Sequence, residues 1–168
     1  MSAPLFHVVG EVEGHVAEAG WDQPPALFAL VDTEELLRAE PQLAKTMGLI
    51  AAIPGSLTPI AQEPLADVPL DEALSGIIFG TEVLGVVLAH EVLVLPPEAE
   101  AALTDEDPLD YAATHPARRE VRMVVGVARD GSRECVLRLR GEDGAADELL
   151  SGPDLAPALA DALLATLD

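Results

Sequence analysis

The sequence predicts one α+β domain over residues 1–168, built on a mainly antiparallel sheet of about four to five strands with helices packed on one face. A chain of 168 residues with 49% hydrophobic content fits a single domain that buries roughly 70% of its unfolded surface. Short apolar runs of strand type lie between segments with helical periodicity, and two of the strands form an arginine-rich hairpin. These observations favour an antiparallel sheet that helices cover on one face.

The N-terminal segment has the pattern of an amphipathic helix followed by a strand. Apolar residues recur at helical spacing, so we predict a helix over about residues 4–19 that Gly20 ends. After the Pro24-Pro25 pair, residues 26–31 are uniformly apolar and bounded by breakers, which is typical of a buried strand. The apolar stripe of the helix consists of Leu5, Val8, Val9, Val12 and Val16.

Polar signals then predict a second helix and a short edge strand. Asp32 and Glu35 have capping-box spacing, so a helix begins there and ends near Pro41. Residues 57–62 can form a strand only at the edge of the sheet, because Pro59 has no N–H to donate to a central ladder.

Two further helices are predicted from apolar periodicity, and three segments lack a clear pattern. Pro69 opens one helix, and the other follows Pro153 at the C-terminus. Residues 42–56 are unpatterned, and residues 141–151 form an acidic linker. The acidic residues 98–110 form either a solvated loop or a ragged helix, and a loop is favoured around residues 105–108. The helical stripes are Leu70, Ala73, Leu74 and Ile77, and Leu155, Leu159, Ala162 and Leu163.

Residues 83–94 form the longest predicted strand. Apolar residues occupy both of its faces, which indicates a central position in the sheet. His90 and Glu91 are adjacent in this strand and therefore point to opposite faces, so they cannot act together as acid and base. We predict a core histidine at position 90, with a general base as the alternative.

The hairpin register follows from matching its faces. A three-residue loop at residues 129–131, with Gly131 in the left-handed region, pairs Val121 with Leu139 and Val125 with Cys135. All apolar residues then share one face, with Cys135 pointing inward, whereas a two-residue loop would place arginine opposite an apolar core position. The other face pairs Glu120 with Arg140 and sets Arg122 beside Arg138.

Charge is distributed very unevenly along the chain. The formal net charge is −21, yet seven of the nine basic residues lie between Arg118 and Arg140, against three acids there. The protein is thus predicted to be an acidic body with one cationic ribbon, and its charge asymmetry bears on which partners it attracts.

Composition also excludes several classes of function. A strongly acidic protein is repelled by nucleic acid and by anionic membranes, and no apolar run reaches the roughly 20 residues of a membrane helix. One cysteine allows no internal disulfide and no cysteine zinc cluster, and no signal peptide is visible, so we predict a cytoplasmic protein. Phosphate loops, nucleophile elbows and paired-histidine zinc motifs are missing, so we predict no cofactor, no metal and no catalytic residue.

The binding residues are predicted in and just before the hairpin. His115, Arg118 and Arg119 stand where an acidic loop enters a basic strand, and guanidinium groups there could hold a carboxylate or a phosphate. The alternative is that these arginines pair with the protein's own acids. The remaining predicted binding residues, on the polar face of the hairpin, are Arg122, Arg138 and Arg140.

Three sequence blocks carry a resemblance to a known family: residues 20–25 (GWDQPP), residues 29–33 (ALVDT) and residues 115–140. Together they resemble an actinobacterial family of small acidic cytoplasmic proteins without an established activity, and the similarity covers nearly the whole chain. The resemblance implies a source lineage and a shared fold, and it transfers no catalytic residues. At the level of fold alone, the predicted architecture resembles that of secretion chaperones, which bind client segments.

The function predicted from these observations is a noncatalytic protein-binding or adaptor module that holds an acidic segment on the arginine ribbon or an exposed sheet face. Two alternatives remain open: a binding protein or enzyme for a small anionic metabolite at His115, Arg118 and Arg119, and a homodimer that docks this ribbon on the acidic residues 105–110. Replacing both Arg122 and Arg138 by glutamate is expected to abolish capture and leave the melting temperature nearly unchanged.

Overall fold

Six strands form one antiparallel sheet in a computed structural model that describes residues 3–46, 56–63, 65, 70–94, 119–141, 147–152 and 155–167. The strands are β1 (Ala26–Asp32), β2 (Leu57–Ala61), β3 (Val83–Val94), β4 (Arg119–Ala128), β5 (Arg133–Leu139) and β6 (Glu148–Gly152). Their order across the sheet is β2-β1-β3-β4-β5-β6. The helices are α1 (Ala3–Glu18), α2 (Thr33–Ala39), α3 (Pro41–Thr46), α4 (Leu70–Ser75) and α5 (Pro157–Ala165).

The predicted α+β class is confirmed, although the sheet has six strands among the described residues instead of four to five. The helices also pack on both faces of the sheet and not on one. Val87 and Val124 belong to the core under α1, whereas Val86 and Val125, their neighbours in sequence, belong to the core under α4 and α5. Because β3 and β4 are apolar on both sides, both faces of the sheet need a cover.

α1 lies unusually close to the sheet at Gly126. A Cβ atom added to Gly126 would overlap Cγ2 of Val9 and come within 3.3 Å of Leu5. The glycine is therefore required by the approach of the helix, which buries Leu5 and Val9 completely.

The predicted local geometry is confirmed at the hairpin and at the second helix. The pairing of β4 with β5 has the expected register, from Val121 with Leu139 to Val125 with Cys135, and Gly131 has φ +90°. The carboxylate of Asp32 accepts a hydrogen bond from the N–H of Glu35 at 3.1 Å, which caps α2.

Two elements were not predicted. α3 occupies residues 41–46, where the sequence lacks a clear helical stripe, and β6 occupies residues 148–152, in and just beyond the predicted linker. Both are short, and β6 is defined by its pairing with β5 more than by its own β propensity. The predicted acidic loop at residues 98–110 lies outside the described residues.

Candidate functional site

Arg122 is buried at the centre of the polar face of the hairpin. Its side chain is 1% exposed, and its guanidinium donates to the carbonyl oxygen of Gly20 and to the carboxylate of Glu91, the latter at 3.2 Å. The Trp21 ring lies against it, with the ring centroid 4.6 Å from Cζ. Glu91 also accepts two backbone N–H groups of the loop after α1, at 2.9 and 3.0 Å. Arg122 therefore fastens this loop to the sheet, which is a structural role.

Arg138 lies beside Arg122 and is held between two carboxylates. Its guanidinium makes a two-pronged ion pair with Glu13 of α1 and also contacts Asp147 at 3.4 Å. The pKa of Arg138 is raised, chiefly by the hydrogen bond to Glu13. The pKa of Asp147 is lowered, first by the N–H of Gly141, which it accepts at 2.7 Å. Arg138 is thus neutralised within the chain.

Arg140 is the most exposed of the three predicted ribbon residues. Its guanidinium forms an ion pair with Glu120, its partner across the hairpin, and lies 3.9 Å from Asp22. The hydrogen bond to Glu120 is the main reason why the pKa of Arg140 is raised. The Cζ atom of the same guanidinium lies over the Trp21 ring, 5.5 Å from the ring centroid.

The two other arginines of the hairpin also have acceptors within the chain. Arg129 donates to four backbone carbonyl oxygens, those of Phe79, Gly80, Val83 and Leu167; the distances to Val83 and Gly80 are 2.6 and 2.7 Å. Arg133 contacts Asp161 of α5 at 3.3 Å. An acidic ligand for the five arginines with described side chains would therefore have to displace carboxylates or carbonyl groups that already occupy these guanidinium groups.

The structure brings together Arg122, Arg138 and Arg140 as predicted, but it does not describe the other predicted binding residues. His115 and Arg118 lie outside the described residues, and only the backbone of Arg119, the first residue of β4, is described. A site at these three residues stays a prediction. The expectation that replacing both Arg122 and Arg138 by glutamate would leave the melting temperature nearly unchanged conflicts with this burial, because the new carboxylate at position 122 would be buried against Glu91.

Of the other groups that could support chemistry, Cys135 is a core residue, whereas His90, predicted as a core histidine, is only half-buried. His90 points to the face opposite Glu91, its Nε2 atom has no partner among the described residues, and burial lowers its pKa below 6.5. Burial, followed by the charge of Glu134, raises the pKa of Cys135 to about 11, so its thiol stays protonated. Within the described ranges, no group of three or more histidine, cysteine or acidic residues is arranged to hold a metal ion. The helices of these ranges are also too short or too polar to cross a membrane.

Among the described residues, no strand pairs with the outer side of β6, so β6 is one edge of the sheet. Backbone hydrogen bonds join Arg140 to Glu120 and Ala128 to Ser132 across the hairpin. The backbone N–H and C=O groups of even-numbered residues of β5 therefore point to β4, and those of odd-numbered residues point to β6. Leu149 and Ser151 pair with the even-numbered Arg138 and Val136. Their own N–H and C=O groups therefore point away from the sheet.

Apolar side chains surround these outward backbone groups. Leu149 and Leu150 are 55% and 50% exposed and, as neighbours in a strand, lie on opposite faces of the sheet. Leu155 is 41% exposed and lies next to Gly152, on the same face as Leu150. An exposed strand with leucine on both faces is an unusual surface for a protein that is not bound to anything.

The opposite edge, at β2, is blocked. The N–H of Gln62 donates to the carbonyl oxygen of Leu27, and the N–H of Thr33 donates to that of Ser56. Because hydrogen-bonded and non-hydrogen-bonded pairs alternate along an antiparallel ladder, Leu30 and Pro59 form a pair without hydrogen bonds between them. The ring nitrogen of Pro59 therefore faces outward, where another strand would need a donor. β6 has no such residue at its outward positions.

The chain matches one family model, described as PPA1309-like protein, over residues 5–168. It belongs to the PPA1309-like family. This membership confirms the predicted resemblance over nearly the whole chain, while the actinobacterial lineage stays a prediction. No match was found among curated proteins or among solved structures, so the analogy with secretion chaperones also stays a prediction.

Sequence reasoning missed two features of this family member that bear on its surface. Glu91, 31 residues before Arg122, is the carboxylate that neutralises it, and no local pattern marks a contact at that separation. The leucine pair at residues 149–150 inside an acidic segment is the one signal that could have indicated β6.

Proposed function

We propose that this chain is a noncatalytic protein-binding module that takes up an extended segment of its partner as a seventh strand along β6. The observation that supports the proposal is the pair of outward-facing residues Leu149 and Ser151, which together offer two N–H and two C=O groups. In this mode of recognition the backbone ladder supplies affinity and the flanking side chains supply selectivity. We place this activity in the cytoplasm, because a lone buried cysteine suits a reducing compartment.

The exposed leucines would add to the backbone ladder. Fully burying a leucine side chain contributes about 1.5–3 kcal/mol, and roughly half of that remains to be gained at Leu149 and at Leu150. Because the two side chains lie on opposite faces, a partner strand would cover both only if it lies in the plane of the sheet. A flat partner docked on one face would leave one leucine exposed.

Ser151 offers a clean test of this surface. Ser151→Pro removes one outward N–H and leaves the ladder to β5 intact, as Pro59 does at the opposite edge. Ser151→Ala is the matched control because it removes the same hydroxyl and keeps the N–H. Both variants are expected to melt within a few degrees of the wild type.

The experiment is a selection of random linear peptides displayed on phage, performed on the wild type and on both variants. We expect the wild type and Ser151→Ala to enrich the same sequences and Ser151→Pro to lose them. Equal enrichment on all three proteins would place binding elsewhere, and the absence of any enrichment on the wild type would refute the proposal.

A further inference from the structure

The acidic residues at the start of β6 suggest which chemistry the partner segment has. Arg138 is shared by Glu13 and Asp147, so its single positive charge faces two carboxylates. The next residue along the chain, Glu148, is exposed. The carboxylate of Asp147 lies on the face of Arg138, which it contacts, whereas Glu148 pairs with Leu139 and points to the other face of the sheet. The end of the strand is therefore negative on both faces.

The charge of the whole protein acts in the same direction. A body with a formal charge of −21 attracts cationic segments and repels acidic ones, and it also repels a second copy of itself. The two arginines of β5 that lie next to this edge, Arg133 and Arg138, already have carboxylate partners. The side chains along the edge thus offer acids and leucines, in that order along the strand.

We infer that the segment bound at β6 is basic and has two adjacent apolar residues followed by two adjacent lysines or arginines. The inference rests on the proposed function and adds the chemistry of the partner. An antiparallel partner continues the pattern of this sheet and forms the stronger ladder. Read from its N-terminus, such a strand passes Leu150 and Leu149 first and then Glu148 and Asp147, so its apolar pair precedes its basic pair.

The test uses three fluorescein-labelled peptides of one length: Ser-Thr-Val-Val-Lys-Lys-Thr, and the same sequence with Gln-Gln or Glu-Glu in place of Lys-Lys. Anisotropy titrations at low salt are performed on the wild type, Ser151→Ala, Ser151→Pro and Glu148→Gln. A fourth peptide keeps the two lysines and carries N-methyl groups at alternate backbone positions, so it has the same charge but cannot form a ladder.

We expect the Lys-Lys peptide to bind the wild type and Ser151→Ala equally, and Ser151→Pro about tenfold more weakly. Glu148→Gln should weaken binding about threefold, since charges at the rim of an interface have modest effects. The Gln-Gln peptide should bind more weakly than the Lys-Lys peptide. The Glu-Glu and N-methylated peptides should not bind, and added salt should weaken the Lys-Lys complex.

Other results would overturn the inference in distinguishable ways. If the Gln-Gln or Glu-Glu peptide binds the wild type as tightly as the Lys-Lys peptide does, and if it no longer binds Ser151→Pro, the partner is not basic. The strand-binding function then stands. If the Lys-Lys peptide binds Ser151→Pro and Ser151→Ala equally, attraction to the acidic body explains it and the edge is not the site. If the wild type sediments as a dimer that Ser151→Pro abolishes, the occupant is a second copy. If no peptide binds, the inference is also refuted.

Discussion

Replacing Arg122 by methionine is expected to destabilise the fold by about 3 kcal/mol. Removing one partner of a buried ion pair costs about 3–5 kcal/mol, because the other charge is left without compensation. Glu91 keeps two backbone N–H donors and its side chain is 18% exposed, which places the cost near the lower limit. Such a loss is a large fraction of the 5–15 kcal/mol that stabilises a typical domain.

Trp21 makes this prediction easy to measure. It is the single tryptophan of the chain and it lies on the Arg122 guanidinium, so urea unfolding followed by its fluorescence reports on the site itself. Far-ultraviolet circular dichroism provides the independent probe of global unfolding. Adding Glu91→Gln to Arg122→Met should recover at least 1 kcal/mol relative to the sum of the single effects, because the two residues interact directly.

Arg38 supplies the control. Its ion pair with Glu35 on α2 has both side chains more than 60% exposed, so Arg38→Met should cost less than about 1 kcal/mol. If Arg122→Met costs no more than Arg38→Met, the loop anchor contributes nothing to stability and the reasoning is refuted.

Three further predictions concern the core. Gly126→Ala should lower the free energy of unfolding in urea by about 1–3 kcal/mol, because its Cβ would overlap Val9. Gly10→Ala, on the open side of α1, should raise it by up to about 1 kcal/mol. Equal effects of the two substitutions would contradict the close approach of the helix at Gly126. The free energy of unfolding should fall as pH decreases below 6.5, since the unfolded state takes up a proton that half-buried His90 resists, and His90→Leu should flatten this slope. Cys135 should react with a thiol reagent at pH 8 only after unfolding, because its pKa is about 11 and its side chain is buried; rapid reaction of the native protein would show that the strand opens.

The hairpin shows how much of this fold could be predicted from sequence. Its register could be found because the pairing that sets Val121 and Val125 opposite Leu139 and Cys135 keeps arginine away from these core positions, and the same pairing predicted the contact of Glu120 with Arg140. The prediction that all apolar residues of the hairpin share one face is wrong, because Val124 and Val136 lie on the opposite face and pack under α1. The central position of β3 followed from its two apolar faces. These conclusions depend on patterns within a few residues, where the physical rules are strong.

The burial of Arg122 could not be predicted in this way. Its position on the polar face of the hairpin indicated an exposed cation, but the loop that contains Trp21 covers that face and supplies its acceptors. This contact joins residues more than a hundred positions apart in the chain, as does the pairing of Arg138 with Glu13. β6 escaped prediction for a related reason, because a five-residue edge strand depends on its neighbour for its structure.

The difference between the two edges of the sheet sets a limit on stoichiometry. A sheet that is competent at both edges can add strands without end, which is the geometry of fibrous assembly. Here Pro59 terminates one side, so every copy can be extended once and only in one direction. Even at high concentration, strand addition would stop at a pair of chains or at one captured segment per chain. If β6 binds a partner strand as proposed, the sheet would take up one partner at a time, and an adaptor built on it would need a second, different surface to bring two partners together.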